Sequence, residues 1–456
     1  MTREEHVSIK GGLVAVSAVL AFAALASCGG GGGGGAAPVS DVAALVETND
    51  AGSVSGAQVA IDVHGNALAV WVQSDGTRNN IWANRYTAAT GAWGVAALIE
   101  TNDVSSAYRP QVALDANGNG LAAWDQGDGI RQNIWANRYT AATGAWGTAV
   151  LIETDNVGGA TAPQLGFAAN GNAVAVWTGN LSIWSNRYTA ATNSWGTAAV
   201  IESGAGGAGS PQVAVAANGN AVAVWQQSDG TRDSIWANRL TAATGAWGVA
   251  ALIETNDLGG AHGAQLAIDA TGNATAAWVQ SDGVRDNAWA SRFTAGTTNA
   301  WGTAVLIETD DVGSADLPQV AVDAGGNALV VWQQDGDASA VVTNDIWSNR
   351  YTAGSGWGAA APMETSAYRG AGPQVALNAS GNGMAVWYQL DGTRQNVYAR
   401  RYTAGTGWGA VALAESHDGG DSVLPQLAIN DGGAIMAVWE QLPPGSSRHD
   451  LWADGF

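Results

Sequence analysis

The chain is poor in several residue types, and each shortage excludes a class of protein. Its 456 residues include one cysteine, so no disulfide can form within the chain. Only 12% of the residues are charged, and 39 acidic residues against 18 lysines and arginines give a formal net charge of −21. A strongly negative protein repels phosphate backbones, so we expect no nucleic-acid partner.

Catalytic motifs are scarce as well. The chain has five histidines; the four beyond the N-terminal segment, His64, His262, His417 and His449, fall at unrelated positions, and none of the five belongs to an HExxH motif. The sequence contains no GxSxG serine elbow. We therefore assign no catalytic residue and expect a protein that is not an enzyme.

The first 40 residues have the composition of an export signal followed by a tether. Arg3 and Lys10 precede an apolar run over 13–25, which is too short to span a bilayer alone and matches the core of a signal peptide. The run ends in Leu25-Ala26-Ser27-Cys28, which resembles a bacterial lipobox. That resemblance implies a lipoprotein signal peptide over 1–27 and lipidation of Cys28. A Gly-rich tether over 28–40 would then hold an exported domain at the outer membrane, in the periplasm or on the cell surface.

From residue 41 to the end, one unit of about 52 residues recurs eight times, and this repeat accounts for all 22 tryptophans. Seven tryptophans lie in the third apolar run of a unit, with Tyr398 in that place in the seventh copy, and seven open the fourth run. Eight end the second run: Trp71, Trp124, Trp177, Trp225, Trp278, Trp332, Trp387 and Trp439.

Each unit contains four β-rich runs separated by Gly, Asn and Asp turn signals, and no helical period. In the second copy the runs cover roughly 111–115, 121–125, 134–140 and 146–153. Four-stranded antiparallel meanders at this period are typical of propeller blades. The chain begins with a fourth run over 42–50 and ends with a third run over 450–456. We predict an all-β, eight-bladed β-propeller over 41–456, in which the N-terminal outer strand completes the last blade.

Two known repeat types share local features with this unit. The first two runs resemble those of NHL-type propeller repeats. Thr143-Gly144-Ala145-Trp146 is similar to the tryptophan-docking motif of the eight-bladed quinoprotein dehydrogenases, although it is shorter. These resemblances imply architecture and no particular activity.

The repeated side chains suggest how the blades pack. A hairpin about 88–90 would set Tyr86 opposite Trp93 and Trp82 opposite Ala97. We expect the tryptophans to fill the core between blades, with sugar-stacking platforms as the alternative. A Glu that ends each fourth run, such as Glu100, and an Arg in most third runs, such as Arg85, are expected to pair with charges of neighbouring strands or blades.

Loop lengths indicate a working face. The first-run Gln and the second-run Trp are 13 positions apart in every copy, as from Gln58 to Trp71. The next spacing is usually 11 but is 7 from Trp177 to Trp184 and 15 from Trp332 to Trp347, which is typical of loops that carry binding. We predict a binding face from the aspartates of this loop: Asp75, Asp128, Asp229, Asp282, Asp337 and Asp391. The connections between blades add Asp103, Asp155, Asp257, Asp310, Asp311 and Asp421.

These carboxylates leave the question of a metal open. Beside Gly and Asn oxygens they could hold calcium, but no loop has the spaced acidic ligands of an EF-hand. No other cofactor is indicated. A solubilising surface is the alternative use of the same charges.

Two classes of function remain. The first is a monomeric, non-catalytic binding or scaffold propeller of the cell envelope, which would contact an envelope protein or a polysaccharide through many similar blades. The second is an enzyme acting on polysaccharide, a glycosidase or a lyase, which needs ionisable groups converging at the mouth of the central channel. Residues present in single copies are the candidates for such a site: Asp125, Tyr108, Arg109, Tyr368, Arg369, Tyr388, Glu440 and the segment 337–345.

Overall fold

A computed structural model describes residues 43–456 except 50–51, 102–103, 155–157, 205, 256–257, 297, 310–312, 336–343, 365, 367 and 417–418. The predicted signal peptide, Cys28 and the tether lie outside the described residues. All regular elements of the described part are β-strands. No helix that could cross a membrane is found there.

The strands form eight antiparallel sheets, which are the eight predicted blades. Each sheet has its strands in the order first, second, third, fourth. The first strands are Val54–Ile61, Ala107–Leu114, Ala160–Phe167, Ala208–Val215, Ala261–Ile268, Ala315–Val322, Gly370–Leu377 and Asp421–Ile429. The second strands are Ala67–Ser74, Gly120–Gly127, Ala173–Gly179, Ala221–Ser228, Ala274–Ser281, Ala328–Asp335, Gly383–Leu390 and Ile435–Leu442. The third strands are Asn79–Thr87, Gln132–Thr140, Ser182–Thr189, Asp233–Thr241, Asp286–Thr294, Asn344–Thr352, Gln395–Thr403 and Asp450–Gly455.

The fourth strands are shorter than the sequence pattern indicates. In blades 1 to 6 each consists of two short segments: Ala92–Trp93 and Ala97–Leu98, Ala145–Trp146 and Val150–Leu151, Ser194–Trp195 and Ala199–Val200, Ala246–Trp247 and Ala251–Leu252, Ala300–Trp301 and Val305–Leu306, and Gly356–Trp357 and Ala361–Pro362. Blade 7 has the continuous strand Gly407–Leu413, and blade 8 has Ala44–Leu45.

The break in the fourth strand corrects one of the two predicted cross-strand pairs. Tyr86 does lie opposite Trp93, with ring centroids 5.7 Å apart. Trp82, however, lies opposite Leu98, and Ala97 lies opposite Ala83. The prediction for Trp82 was wrong by one residue because the chain leaves the sheet after Gly94 and returns with one extra residue.

The N-terminal strand closes the ring as predicted. Ala44 and Leu45 pair with Ala453 and Trp452 of the third strand of blade 8, and the N–H of Val46 donates to the carbonyl of Leu451 at 2.8 Å. First strands of successive blades contact one another all the way round, including blade 8 with blade 1. They are therefore the innermost strands and surround the central channel.

The core lies between blades, because each blade buries both of its faces against its neighbours. The eight second-strand tryptophans have no exposed surface, so for them the sugar-stacking alternative is wrong. Trp225 of blade 4, for example, shares a cluster with Ile183 and Val176 of blade 3. Burial of a side chain of this size contributes about 2–3 kcal/mol, which makes these eight positions the main attachment between blades.

Candidate binding face

The disk has two faces that differ in their loops. On the first, which we call the loop face, the loop between second and third strands lies beside the connection from one blade to the next, as where Gln73 Nε2 donates to the carbonyl of Gly52 at 3.2 Å. On the second, which we call the turn face, the two remaining turns meet, and Asn66 Oδ1 accepts from the N–H of Ala88 at 3.1 Å. The described members of the predicted aspartate set therefore lie on the loop face.

Each described aspartate of the predicted set organises its own loop. Asp75 Oδ1 accepts from the N–H groups of Thr77 and Arg78 at 2.7 and 2.9 Å and from the Thr77 hydroxyl at 2.6 Å. The same pattern of backbone hydrogen bonds recurs at Asp128, Asp229, Asp282 and Asp391. Asp337 lies outside the described residues, as do Asp103, Asp155, Asp257, Asp310 and Asp311 of the connections.

These hydrogen bonds keep the carboxylates charged. The Thr77 hydroxyl, followed by the N–H groups of Arg78 and Thr77, holds the pKa of Asp75 well below its usual range. The Thr231 hydroxyl and the loop N–H groups lower the pKa of Asp229 to about 2. The loop aspartates are thus negative at any physiological pH.

The loop face is less negative than its aspartates alone suggested, because an arginine follows three residues after each of the five. Asp75 lies 4.0 Å from Arg78 and Asp229 lies 4.0 Å from Arg232. Exposed pairs of this kind contribute little to stability, but they reduce the net charge of the loop. The sequence shows these arginines, and their regular offset from the aspartates was the signal for the pairing.

A calcium site finds no support in this geometry. Oδ1 of each described loop aspartate accepts hydrogen bonds from N–H groups of its own turn. Within the described part of the chain, no three His, Cys, Asp or Glu residues gather in a way that could hold a metal.

Beneath the loop face runs a buried hydrogen-bond relay that the sequence pattern did not predict. In blade 5, Trp278 Nε1 donates to Gln280 Oε1 at 3.2 Å, and Gln280 Nε2 donates to Glu254 of blade 4 at 2.9 Å. Blades 2 and 7 repeat the relay with Glu100 and Glu364. The recurrent Glu therefore joins its own blade to a glutamine of the next. That glutamine lies two positions after the second-strand Trp in every blade except blade 3, which has Gly179, and it was the available signal.

The recurrent arginine of the third strand also joins neighbouring blades, but its partner is most often an aromatic ring. The guanidinium carbon of Arg292 lies 3.8 Å from the ring centroid of Tyr351 in the next blade. Arg85, Arg239 and Arg350 lie 5.7–5.9 Å from the corresponding rings. The expectation of a partner charge was thus incomplete, because cation–π contact supplies much of the attraction.

At the mouth of the channel on the loop face, every first strand contains a bulge. The register shifts by one residue there, as between Ser55 and Gln58. One residue of each bulge has positive φ: Gly56, Arg109, Ala162, Ser210, Gly263, Leu317, Gly372 and Leu424. Five of these eight are not glycine, although that conformation is strained for L-residues. The backbone is thus the same in all blades, whereas the side chain at the rim differs from blade to blade.

The bulge of blade 2 carries a charged pair found in no other blade at this position. Arg109 Nε and Nη2 donate to Asp125 Oδ1 and Oδ2 at 2.7 and 2.9 Å. Asp125 is fully buried, while the Arg109 side chain is 42% exposed and Tyr108 beside it is 38% exposed. Burial raises the pKa of Asp125 to about 6, against the attraction of Arg109. Both carboxylate oxygens are engaged, so this pair presents an arginine edge and a tyrosine ring to solvent.

The other single-copy residues do not join this pair. Glu440 is buried at the joint of blades 8 and 1, where its Oε1 accepts from the N–H of Gly56 at 2.8 Å. Tyr388 lies in the second strand of blade 7 opposite Ala371, and Tyr368 is exposed in the connection before that blade. Of the segment 337–345, residues 337–343 lie outside the described residues. Residues 344–345 of that segment begin the third strand of blade 6, so the described candidates are distributed over four blades.

The chain matches no protein-family model and no curated protein. It is similar to solved propellers. One is a polysaccharide lyase, an ulvan lyase of family PL25, at 9% identity and a TM-score of 0.55, covering 90% of this chain and 94% of that one. Another is the Dos1 propeller, at 7% identity and a TM-score of 0.54, covering 90% and 95%. A third is the GH93 α-L-arabinofuranosidase of Fusarium graminearum with arabinobiose, at 12% identity and a TM-score of 0.40, covering 64% and 92%. The similarity to the first two, at these identities, supports the propeller fold alone.

Proposed function

We propose that this protein is a non-catalytic binding or scaffold propeller of the cell envelope, which contacts polysaccharide or protein through its loop face. The observation that carries the proposal is the arrangement of the channel mouth. A common bulge holds the rim rigidly in all eight blades, while the rim side chains vary from Tyr108-Arg109 to His262-Gly263 and Asp316-Leu317. A constant scaffold with varied exposed side chains suits recognition.

Around this rim, similar loops repeat and favour multivalent contact. Each of the five described loops presents an aspartate, an arginine and a positive-φ glycine in the same geometry. A ligand with a repeating structure can touch several of them at once, so that avidity replaces the affinity of one site. The shortest loop, in blade 3, is a two-residue turn at Asn180 and Leu181, both with positive φ, and it leaves Leu181 71% exposed.

Replacing Asp229, Asp282 and Asp391 together by Asn tests the loop face. Asn keeps an oxygen that accepts the N–H groups of the turn, so we expect an unchanged melting temperature and weaker binding to an array of envelope polysaccharides and purified envelope proteins. The loss of affinity should come from a slower association rate. It should become smaller as the salt concentration rises through about 0.15 M, where the screening length is about 8 Å.

The matched control is Thr90→Ala with Thr143→Ala on the turn face, where both side chains are exposed and donate only within their own turns. This variant should bind as the parent does. If the Asn variant binds a ligand of the parent equally well at low salt, the loop aspartates are a solvated surface and take no part in binding.

Cys28→Ser tests the lipid anchor that the lipobox resemblance implies. A Gly-rich tether has no membrane affinity of its own, so the variant should leave the membrane fraction while the parent stays in it. Fractionation followed by a carbonate wash measures this. Retention of the variant after the wash would mean that another part of the chain holds the membrane.

The second candidate function is an enzyme acting on polysaccharide, and the group at blade 2 is the observation that favours it. Tyr108 and Arg109 are exposed at the channel mouth above a buried carboxyl group whose pKa is raised to about 6. Release of reducing ends or of unsaturated products from a polysaccharide panel would support this function, provided that Tyr108→Phe abolishes it. The binding proposal requires that ligands are retained without being cleaved.

A further inference from the structure

Two joints, that of blades 1 and 2 and that of blades 5 and 6, share one pattern on the turn face. In the joint of blades 5 and 6, Arg292 of blade 5 stacks on Tyr351 of blade 6. Burial lowers the pKa of Arg292, while Tyr351, Asp269 and Asp323 oppose that effect. The two aspartates end the first strands of the two blades. The pattern therefore combines an arginine, a ring and two carboxylates.

The aspartate at the end of the first strand also organises the turn that follows it. Asp115 Oδ2 accepts from Asn119 Nδ2 at 2.9 Å, and its Oδ1 accepts from the N–H of Asn117 at 2.8 Å. Asp62, Asp269 and Asp323 accept from their asparagines in the same way, at 2.8 Å. The carboxylate also faces the next blade, since a Cβ on Gly118 would lie 2.8 Å from Asp62 Oδ2. Each such carboxylate thus receives donors from its own turn and lies against the neighbouring one.

The joint of blades 3 and 4 keeps the donors and lacks these acceptors. Ala168 and Ala216 stand where blades 1, 2, 5 and 6 have aspartate and blades 7 and 8 have asparagine, and Leu240 stands where the other blades have an aromatic ring. Arg187 and Asn172, the counterparts of Arg292 and Asn273, are both present. Among the described residues, no carboxylate pairs with Arg187 and none accepts from Asn172 Nδ2. Asp115 of blade 2 lies against Gly171 of this turn, where a Cβ would be 3.4 Å from its Oδ2.

A pocket opens at this joint. Its cavity volume is about 80 Å³, and the cavity is open at its mouth. Its walls include Ala168, Asn170, Asn172, Arg187, Val215 and Gly219. Arg187 is the single charged residue of this lining, and it is partly exposed. The pocket therefore offers a positive charge and amide donors within apolar walls, and it is open to solvent on the turn face.

We propose that this pocket binds a small organic carboxylate, whose carboxylate group takes the place that the Asp side chain takes in blades 1, 2, 5 and 6. Arg187 and Asn172 Nδ2 would donate to it, and Ala168 leaves the room that the aspartate fills elsewhere. A carboxylate hydrogen-bonded to a guanidinium forms one of the stronger polar contacts in proteins, and the apolar walls strengthen it further. The site lies on the face opposite the loops, so it is separate from the function proposed above. The carboxylate can come from a free acid or from an acidic unit of a polysaccharide.

Isothermal titration with sodium D-glucuronate tests the site, with D-glucose as the neutral counterpart. We expect the parent to bind glucuronate saturably at one site per chain and glucose at least tenfold more weakly. Ala168→Asp places beside Arg187 the carboxylate that blade 2 has at Asp115. This variant should bind glucuronate at least tenfold more weakly than the parent and should melt at the same or a higher temperature. Arg187→Gln should lose binding as well. Arg138→Gln is the matched control, since Arg138 belongs to a joint that contains Asp115, and it should bind as the parent does.

Titration with an oligomer of uronate units distinguishes the two sources. Tighter binding of the oligomer than of glucuronate assigns the pocket to an acidic polysaccharide, and equal binding assigns it to a free acid. Inorganic phosphate should bind at least tenfold more weakly than glucuronate. The proposal is overturned if the parent shows no saturable binding of glucuronate, if phosphate binds as tightly as glucuronate, or if Ala168→Asp binds glucuronate as well as the parent.

Discussion

Removal of residues 42–48 should destabilise the whole ring and not one blade alone. The described part of this segment contacts three consecutive blades. The N–H of Ala43 donates to Ser416 Oγ after blade 7, that of Val46 donates to Leu451 of blade 8, and Asn84 of blade 1 donates to the carbonyl of Val46. Val46 is fully buried and Glu47 nearly so. Loss of these hydrogen bonds and of the buried Val46 should cost about 5 kcal/mol, at about 1 kcal/mol for each bond and about 1.5 for the side chain.

Thermal unfolding followed by near-ultraviolet circular dichroism measures this effect, because the tryptophans of all blades report on the core. The control is a chain that begins at residue 41, which lacks the predicted signal and tether but keeps the closing strand. It should melt as the parent does. Equal melting of the 42–48 deletion and this control would contradict the closure of the ring by the N-terminal strand.

Raising the pH should weaken the joints on either side of blade 8. Burial raises the pKa of Glu440 to about 7, against the hydrogen bonds from Gly56 and Ala57. Burial also raises the pKa of Glu415 to about 7 and that of Glu47 above its usual range, with Asp450 adding to the effect on Glu47. The pKa values of these glutamates are therefore higher in the folded state than in the unfolded chain. Their contribution to the free energy of unfolding is complete below the ordinary glutamate pKa of 4.5 and is lost as the pH rises through about 7. For Glu440 the loss should be on the order of 3 kcal/mol.

Melting temperatures between pH 5 and pH 9 test this. The parent should melt at progressively lower temperature as the pH rises, and Glu440→Gln should flatten the curve, since Gln still accepts the N–H of Gly56 without carrying a charge. Asp316→Asn, an exposed change in the rim of blade 6, is the control and should leave the curve as it is in the parent. A Glu440→Gln curve that runs parallel to the parent curve would show that Glu440 does not titrate in this range.

How the blades differ was visible in the sequence only where the difference changed the spacing of the repeat. The loop lengths after Trp177 and Trp332 could be measured directly on the repeat. The sequence also shows that Ala168 and Ala216 replace aspartate. It does not show that a pocket results, because Arg187 reaches that joint from another strand. The bulge at the channel mouth could not be predicted either. Every first strand has the same one-residue register shift, so the spacing between the first and second runs is the same in every copy.

The sequence by itself determined the number of blades, the four strands of each and the closure by an N-terminal strand. A strand period of two, regular turn signals and tryptophans at fixed places are local features, and a repeat multiplies each of them eightfold. The tertiary structure alone decided what each repeated side chain contacts, because nearly every buried partner belongs to the neighbouring blade. Glu100 meets Gln126, Arg292 meets Tyr351 and Glu440 meets Gly56 only when the ring is assembled. Contacts across that interface depend on the angle and register between blades, which packing of the buried tryptophans determines and no local pattern encodes.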